Sequence, residues 1–216
     1  MEVIPPDIQA FAEKYSTPET DLLYRLHRET YLKVDQPHML SGHVQGRFLT
    51  MVSQMVQPRR ILEIGTFTGY SAICLAQGLT EDGVLHTIDV NEELEAMSSR
   101  YFSSAGLRDK IVQHIGKAAE IIPQLDEIFD LVFVDADKAG YIGYYDLVWE
   151  KLRPGGFMLA DNILYHGEVV LAESEQSNNA KAMIRFAEKA IADERAETLL
   201  LTLRDGLMLI RKKQTH

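Results

Sequence analysis

The stretch Arg60-Ile-Leu-Glu-Ile-Gly-Thr-Phe-Thr-Gly-Tyr-Ser-Ala-Ile-Cys-Leu-Ala76 constrains this chain more than any other. Ile61 to Ile64 is an apolar run broken only by Glu63, the pattern of a short parallel strand buried on both faces. It runs into Gly65-Thr-Phe-Thr-Gly69, a tight turn whose two glycines can take positive φ and let a ligand approach the backbone. From Tyr70 onward the apolar spacing (Tyr70, Ile73, Cys74, Ala76, Leu79) is helical, and Gly83 follows a few residues past the expected end. Strand, glycine turn and helix in this order open a nucleotide-binding α/β fold.

The glycines are spaced G-x-x-x-G, whereas a pyrophosphate-binding turn is written G-x-G-x-x-G. The wider turn, with Glu63 just before it, suits a ligand that has no phosphate and carries a positive centre, such as S-adenosylmethionine (SAM). A strand-to-helix turn with no ligand could carry the same two glycines. Val84-Leu-His-Thr-Ile-Asp89 is a second apolar run, and it ends in a carboxylate 24 residues after Gly65. An acid there either accepts hydrogen bonds from ribose hydroxyls or caps a helix beginning near Asn91.

The rest of the chain repeats strand and helix. Before the glycine turn, Ile8, Phe11, Ala12 and Tyr15 have helical spacing. Thr17-Pro18 reads as a helix cap with proline first inside, and Leu22, Leu23, Leu26 and Tyr31 give that second helix an apolar stripe. These helices, over residues 1–38, are expected to cover the sheet edge, the site or a partner subunit. After Asp89 the pattern predicts a helix over 92–105, a strand over 111–115, a short helix over 120–125 and a strand over 129–134. It continues with a helix over 141–152 ended by Arg153-Pro-Gly-Gly156, a strand over 157–160, a helix over 179–192, and a hairpin turning at Arg204-Asp-Gly206. The expected whole is a single α/β domain over 1–216 with a Rossmann-like core from residue 39. Its mostly parallel, seven-stranded sheet should carry an antiparallel C-terminal edge hairpin.

Asp135, Asp161 and Asn162 fall at the C-terminal ends of strands, where open α/β sheets place ligands. Two carboxylates and an amide carbonyl form an all-oxygen set suited to a hard divalent cation, Mg²⁺ before Mn²⁺ or Ca²⁺. The same residues also serve as ordinary turn and cap formers. A net charge of −10 argues against broad binding to nucleic acid, although a local basic patch could still hold a tRNA. No apolar run approaches membrane-spanning length, and Met1-Glu-Val-Ile-Pro-Pro lacks the features of a signal peptide. With a single cysteine, Cys74, and therefore no internal disulfide, the chain is expected in the cytoplasm.

Leu62-Glu-Ile-Gly-Thr-Phe-Thr-Gly-Tyr-Ser71, Phe133-Val-Asp-Ala-Asp-Lys138 and Leu159-Ala-Asp-Asn162 together resemble the cation-dependent SAM O-methyltransferases, the catechol and caffeoyl-CoA group. The resemblance runs over nearly the whole chain and implies the class I SAM methyltransferase fold. It implies cofactor contacts from Met39, Ser41, Glu63, Gly65, Thr66, Ser71, Asp89, Ala118 and Asp135, and a metal held by Asp135, Asp161 and Asn162. Lys138 then stands as general base or as a cation beside the acceptor oxygen, and Asp137 orients the metal shell. Tyr165 and His166 fall in the loop that varies with substrate, where substrate contact and plain exposure are both open. The family commonly has an acidic residue and a glutamine where this chain has Gln45 and Arg47. The implied activity is methyl transfer to a vicinal dihydroxy aromatic by a homodimer. The rivals are a hydroxylated tRNA base as acceptor, a nicotinamide dehydrogenase, and a SAM-binding protein without catalysis.

Overall fold

The computed structural model describes residues 3–214. Seven strands form one sheet: β1 Arg60–Ile64, β2 Val84–Asp89, β3 Ile111–Ile115, β4 Phe129–Val134, β5 Leu152–Ala160, β6 Ala196–Leu201 and β7 Leu207–Lys212. Their order across the sheet is β3-β2-β1-β4-β5-β7-β6. The first five run parallel, and β7 lies antiparallel between β5 and β6. The C-terminal hairpin is therefore present, but its second strand is the one inserted against β5.

Alternation along the strands sorts the core into two layers. Leu62, Ile64, Val132, Val134 and Met158 face one side, where α7 (Tyr141–Trp149) and α8 (Asn178–Ala192) supply Tyr141, Tyr145, Val148 and Phe186. Ile61, Leu131, Phe133 and Leu159 face the other. There they meet α2 (Asp21–Lys33), α3 (Gly42–Val56), α4 (Tyr70–Ala76) and α5 (Glu95–Ser104) through Leu26, Leu49, Tyr70 and Phe102. Helices on both faces of a parallel sheet account for strands that are apolar on both sides.

The register brings the strand ends level. Ile64 pairs with Ile88 on one side and Val134 on the other, and Val134 pairs with Ala160. Backbone hydrogen bonds extend the ladder one step further, from Asp135 N to the Ile64 carbonyl (2.8 Å) and from Asp161 N to the Val134 carbonyl (2.9 Å). β1 lies where the chain changes direction across the sheet, with β2 on one side and β4 on the other. This is the switch point at which open α/β sheets form a crevice. Gly65 has φ 104°, and a Cβ there would run into the backbone carbonyl of Asp135, so only glycine lets β1 and β4 close at this point.

Several boundaries depart from the sequence pattern. Thr20, not Thr17, caps α2, accepting a hydrogen bond from Leu23 N at 3.3 Å, and the helix starts at Asp21. The short helix α6 (Ala118–Ile121) begins two residues early, so Ala118 opens a helix. Helix α7 stops at Trp149, and Arg153-Pro-Gly-Gly156 belongs to β5. Pro154 lacks an N–H and Gly155 has φ 76°, so the register between β4 and β5 shifts there without ending the strand. In α1 (Pro6–Lys14) and just past it, Ile8, Phe11 and Tyr15 keep helical spacing, yet all three are exposed. Tyr31 is exposed as well, and Leu26 anchors α2 instead.

Phe133 is fully buried against the α2–α5 layer. Phe133→Ala is expected to cost about 3–5 kcal/mol, which for a chain of this size lowers Tm by roughly 6–20 °C. A thermal melt shifted by less than about 3 °C would contradict that packing.

Candidate active site

The level strand ends open into one cleft of about 1620 Å³. Met39, Ser41, Gly65, Thr66, Ser71, Asp89, Ala118, Asp135, Lys138, Asp161 and Asn162 all line it, although they come from positions up to 123 residues apart. Of the residues the sequence nominated for the cofactor or metal, Glu63 alone does not reach the wall. It points from β1 into the helix layer that holds Ile61, where its side chain is wholly buried. There Oε2 accepts from Thr87 Oγ1 at 2.6 Å, while Oε1 has no partner. Burial pushes the Glu63 carboxyl up to about 8.

Asp161 is 1% exposed and lies beside Asp135. Burial first, and the charge of Asp135 second, push its carboxyl well above the usual range. Its oxygens are held by Asn162 N (2.8 Å, to Oδ1) and Gln45 Nε2 (2.6 Å, to Oδ2). Asn162 has φ 61°, a left-handed backbone that asparagine tolerates better than most residues. Lys138 closes the cluster. Its Nζ donates to Asn162 Oδ1 at 2.7 Å, Tyr141 Oη at 3.0 Å and Asp135 Oδ1 at 3.3 Å. Tyr141 Oη can accept that bond because its own proton serves the Val134 and Asp161 carbonyls. Three acceptors therefore surround the Lys138 Nζ within the cluster.

The chemistry of these donors fits one kind of ion. Asp135 Oδ1 and Asn162 Oδ1 face a common point at which a positive charge already stands, with the buried Asp161 carboxylate beside them. Hard oxygen donors, two negative charges and a stand-in cation fit a divalent ion of the Mg²⁺ type. Among the described residues no group of three or more His, Cys, Asp or Glu is placed to hold a metal, and this cluster itself offers two carboxylates and an amide.

At the cofactor end, Asp89 Oδ2 accepts from Phe67 N (2.7 Å) and Oδ1 from Asn91 N (2.9 Å), which braces the glycine turn. The helix-cap role open to Asp89 falls to Asn91, whose side chain accepts from Glu93 N at 3.0 Å. Ser71 lies in the first turn of α4, where backbone N–H groups favour a carboxylate. Asp137 differs from expectation. Its Oδ1 accepts from Tyr144 Oη at 2.5 Å, so it fastens α7 at the rim. Tyr165 and His166 both line the cleft, on backbone with φ 41° and 55°. Tyr165 Oη accepts from Asn179 Nδ2 at 2.6 Å.

Three contributors were not visible as such in the sequence. Gln45 reaches Asp161 from α3, and its Oε1 is buried without a partner. Arg204 and Asp205 looked like hairpin-turn residues. Arg204 donates to the backbone carbonyls of Ser41 and His38, and Asp205 accepts from His166 N (2.5 Å) and Asn162 Nδ2 (3.4 Å). The only sequence signal for them was a charged turn in a sheet whose other loops carry the site.

A mostly parallel sheet ordered 3-2-1-4-5-7-6, with β7 antiparallel, a glycine turn after β1 and acids at the ends of β2, β4 and β5, defines the class I SAM-dependent methyltransferase fold. The O-methyltransferase family model matches residues 13–213, and the chain belongs to that family. It is 30% identical over 207 residues to a probable caffeoyl-CoA O-methyltransferase of Dictyostelium discoideum, covering 94% of this chain and 90% of the relative. A catechol O-methyltransferase of Niastella koreensis is 38% identical over 130 residues, covering 58% of this chain and 59% of the relative. Among solved structures, an O-methyltransferase from Bacillus cereus in complex with SAH (S-adenosylhomocysteine) superimposes with a TM-score of 0.86 at 28% identity. That match covers 96% of this chain and 97% of the other. An SAH-bound methyltransferase from Podospora anserina gives a TM-score of 0.88 at 28% identity, covering 96% and 94%.

Glu63 also makes the stability of the ligand-free protein depend on pH. Its folded value, about 8, lies above the unfolded carboxylate value of 4.5, so the folded state holds the extra proton between them. Stability must then fall as pH rises through that window. Thermal melts in EDTA, without SAM, should show Tm decreasing from about pH 5.5 to 8 in the wild type and less steeply in Glu63→Gln. Equal slopes would contradict a protonated Glu63.

Proposed function

We propose that this chain transfers a methyl group from SAM to one hydroxyl of a vicinal dihydroxy aromatic, with a divalent cation held by Asp135, Asp161 and Asn162. The observation that carries this reading is the oxygen cluster at the level ends of β4 and β5, with the Lys138 ammonium against it. The SAH-bound relatives and the glycine turn that opens on the cleft support SAM as the donor.

An unperturbed phenolic hydroxyl, near pKa ~10, is a poor nucleophile at neutral pH. The cation, when bound, would lower that barrier by favouring the ionised oxygen and by fixing two adjacent hydroxyls. The chain's own residues do the rest. Lys138 keeps a second positive charge beside the acceptor oxygen, whose proton passes to solvent water in the open cleft. Gln45 and the Asn162 N–H fix the orientation of Asp161. Arg204 ties the Ser41 segment against the hairpin turn, so the walls on the two sides of the cleft are joined. Ser71 and the first turn of α4 offer donors to the methionine carboxylate, and Asp89 offers acceptors to the ribose. Holding the two reactants in line could account for up to roughly 7–11 kcal/mol of the barrier reduction.

We also infer a homodimer in the cytoplasm. The exposed Ile8, Phe11 and Tyr15 face supports the first, and one buried, unpaired cysteine supports the second. No helix among the described residues is long and apolar enough to cross a membrane.

Methyl transfer from labelled SAM to catechols tests the proposal. Turnover should be lost in EDTA and restored by excess Mg²⁺, whereas turnover indifferent to EDTA would remove the metal from the account. Gln45→Ala should raise the Mg²⁺ concentration needed for half-maximal rate by about 10–100-fold, as loss of a ligand-orienting partner does, and leave SAM affinity unchanged. An unchanged Mg²⁺ requirement would contradict the role given to Gln45.

A further inference from the structure

Charge on the cleft wall speaks to whether the diol arrives free or carried on a phosphorylated group; this inference rests on the O-methyltransferase reading above. The wall carries three lysine or arginine side chains against eight aspartates and glutamates. None of the three cations is at liberty. Lys33 pairs with Glu29 at 3.0 Å, Lys138 spends its three N–H groups inside the cluster, and the Arg204 guanidinium is bound to the Ser41 and His38 carbonyls. The Asn179 amide, a neutral donor on the wall beside Tyr165, is committed to Tyr165 Oη. A divalent cation would balance Asp135 and Asp161 alone, leaving six carboxylates on the wall.

Two of those six stand on the N-terminal segment, away from the metal cluster in sequence. Glu13 on α1 bonds the Gln9 amide, and Asp35 follows α2. Both are exposed, and among the described residues neither has a cationic partner. Phosphate recognition relies on free guanidinium or ammonium groups, or on a helix N-terminus with open N–H groups. An acidic wall does the reverse, lowering the local concentration of anions and raising that of cations.

We propose that the acceptor is a small vicinal diol, uncharged or cationic, that enters without a phosphorylated carrier, and that Glu13 and Asp35 exclude anionic acceptors. The relatives named above include enzymes for both kinds of acceptor, and this cleft has the charge for the free one.

The test uses the full chain with Mg²⁺ and saturating SAM, and four acceptors that share the diol: dopamine, 4-methylcatechol, 3,4-dihydroxybenzoate and caffeoyl-CoA. We expect kcat/KM to fall in that order, with caffeoyl-CoA at least about tenfold below 4-methylcatechol and the difference lying in KM. Raising salt from about 0.05 to 0.3 M should narrow the spread, because screening shortens the reach of the wall charges. The double variant Glu13→Lys, Asp35→Lys should narrow it too while leaving 4-methylcatechol unchanged. Caffeoyl-CoA used as well as or better than 4-methylcatechol would overturn the charge selection and leave diol methylation standing. A spread untouched by the double variant would overturn the assignment to these two side chains. With SAM bound, transfer to none of the four would overturn the diol reading itself and this inference with it.

Discussion

Two carboxylates side by side in a buried place are the constraint on which the rest of the structure depends. The shared register of β1, β4 and β5 makes the juxtaposition unavoidable, since Asp135 and Asp161 each take the next ladder hydrogen bond past Val134 and its partners. Burial first, and the neighbouring Asp135 charge second, raise the cost of ionising Asp161. The surroundings answer with positive charge and donors: the Lys138 ammonium, the Gln45 amide, the Asn162 N–H and, at longer range, Arg204. A fold that only needed stability would place apolar residues at these strand ends. Retaining the carboxylates makes sense as function, because two acids and an amide at the cleft wall supply the oxygen donors that the proposed cation would need.

Much of this was legible in the sequence, for reasons that can be named. Strands buried on both faces are nearly continuous apolar runs, so β1 and β4 stand out, and every nominated strand-end residue except Glu63 reached the cleft wall. Glu63 missed it because alternation along β1 turns it toward the helix layer, and alternation is hard to read in a run that is buried on both sides. Arg153-Pro-Gly-Gly156 read as a helix stop, since proline and glycine punctuate most chains. In the fold β5 absorbs them as a register shift, with Arg153 bonded to Asp130. Asp137, given a place beside the metal by the resemblance, lines the cleft and accepts from Tyr144, a contact the sequence did not signal.

Contacts between residues far apart in the chain were not legible at all. Gln45 lies 116 positions from Asp161, and Arg204 lies 163 from Ser41. Gln45 and Arg47, where the family commonly has an acid and a glutamine, are accommodated without loss of the fold. Gln45 supplies an N–H to the metal cluster, and Arg47 donates to the Pro18 carbonyl at 2.9 Å, tying α3 to the segment before α2. An acid at position 45 would have set a third carboxylate against Asp161. The amide avoids that repulsion and gains a hydrogen bond. The hairpin turn has a similar second use: Arg204 and Asp205 make the antiparallel strand β7 part of the site as well as of the sheet.

The central claim is that Asp135, Asp161 and Asn162 form one divalent-cation site, and direct metal binding tests it without relying on turnover. Mn²⁺ binding followed by electron paramagnetic resonance in the folded protein would report it. The account predicts one ion bound per chain, displaced by Mg²⁺, and lost in Asp161→Asn while that variant keeps its native near-ultraviolet circular dichroism. A folded wild type that binds no Mn²⁺, or an Asp161→Asn variant that binds it as tightly, would contradict the account.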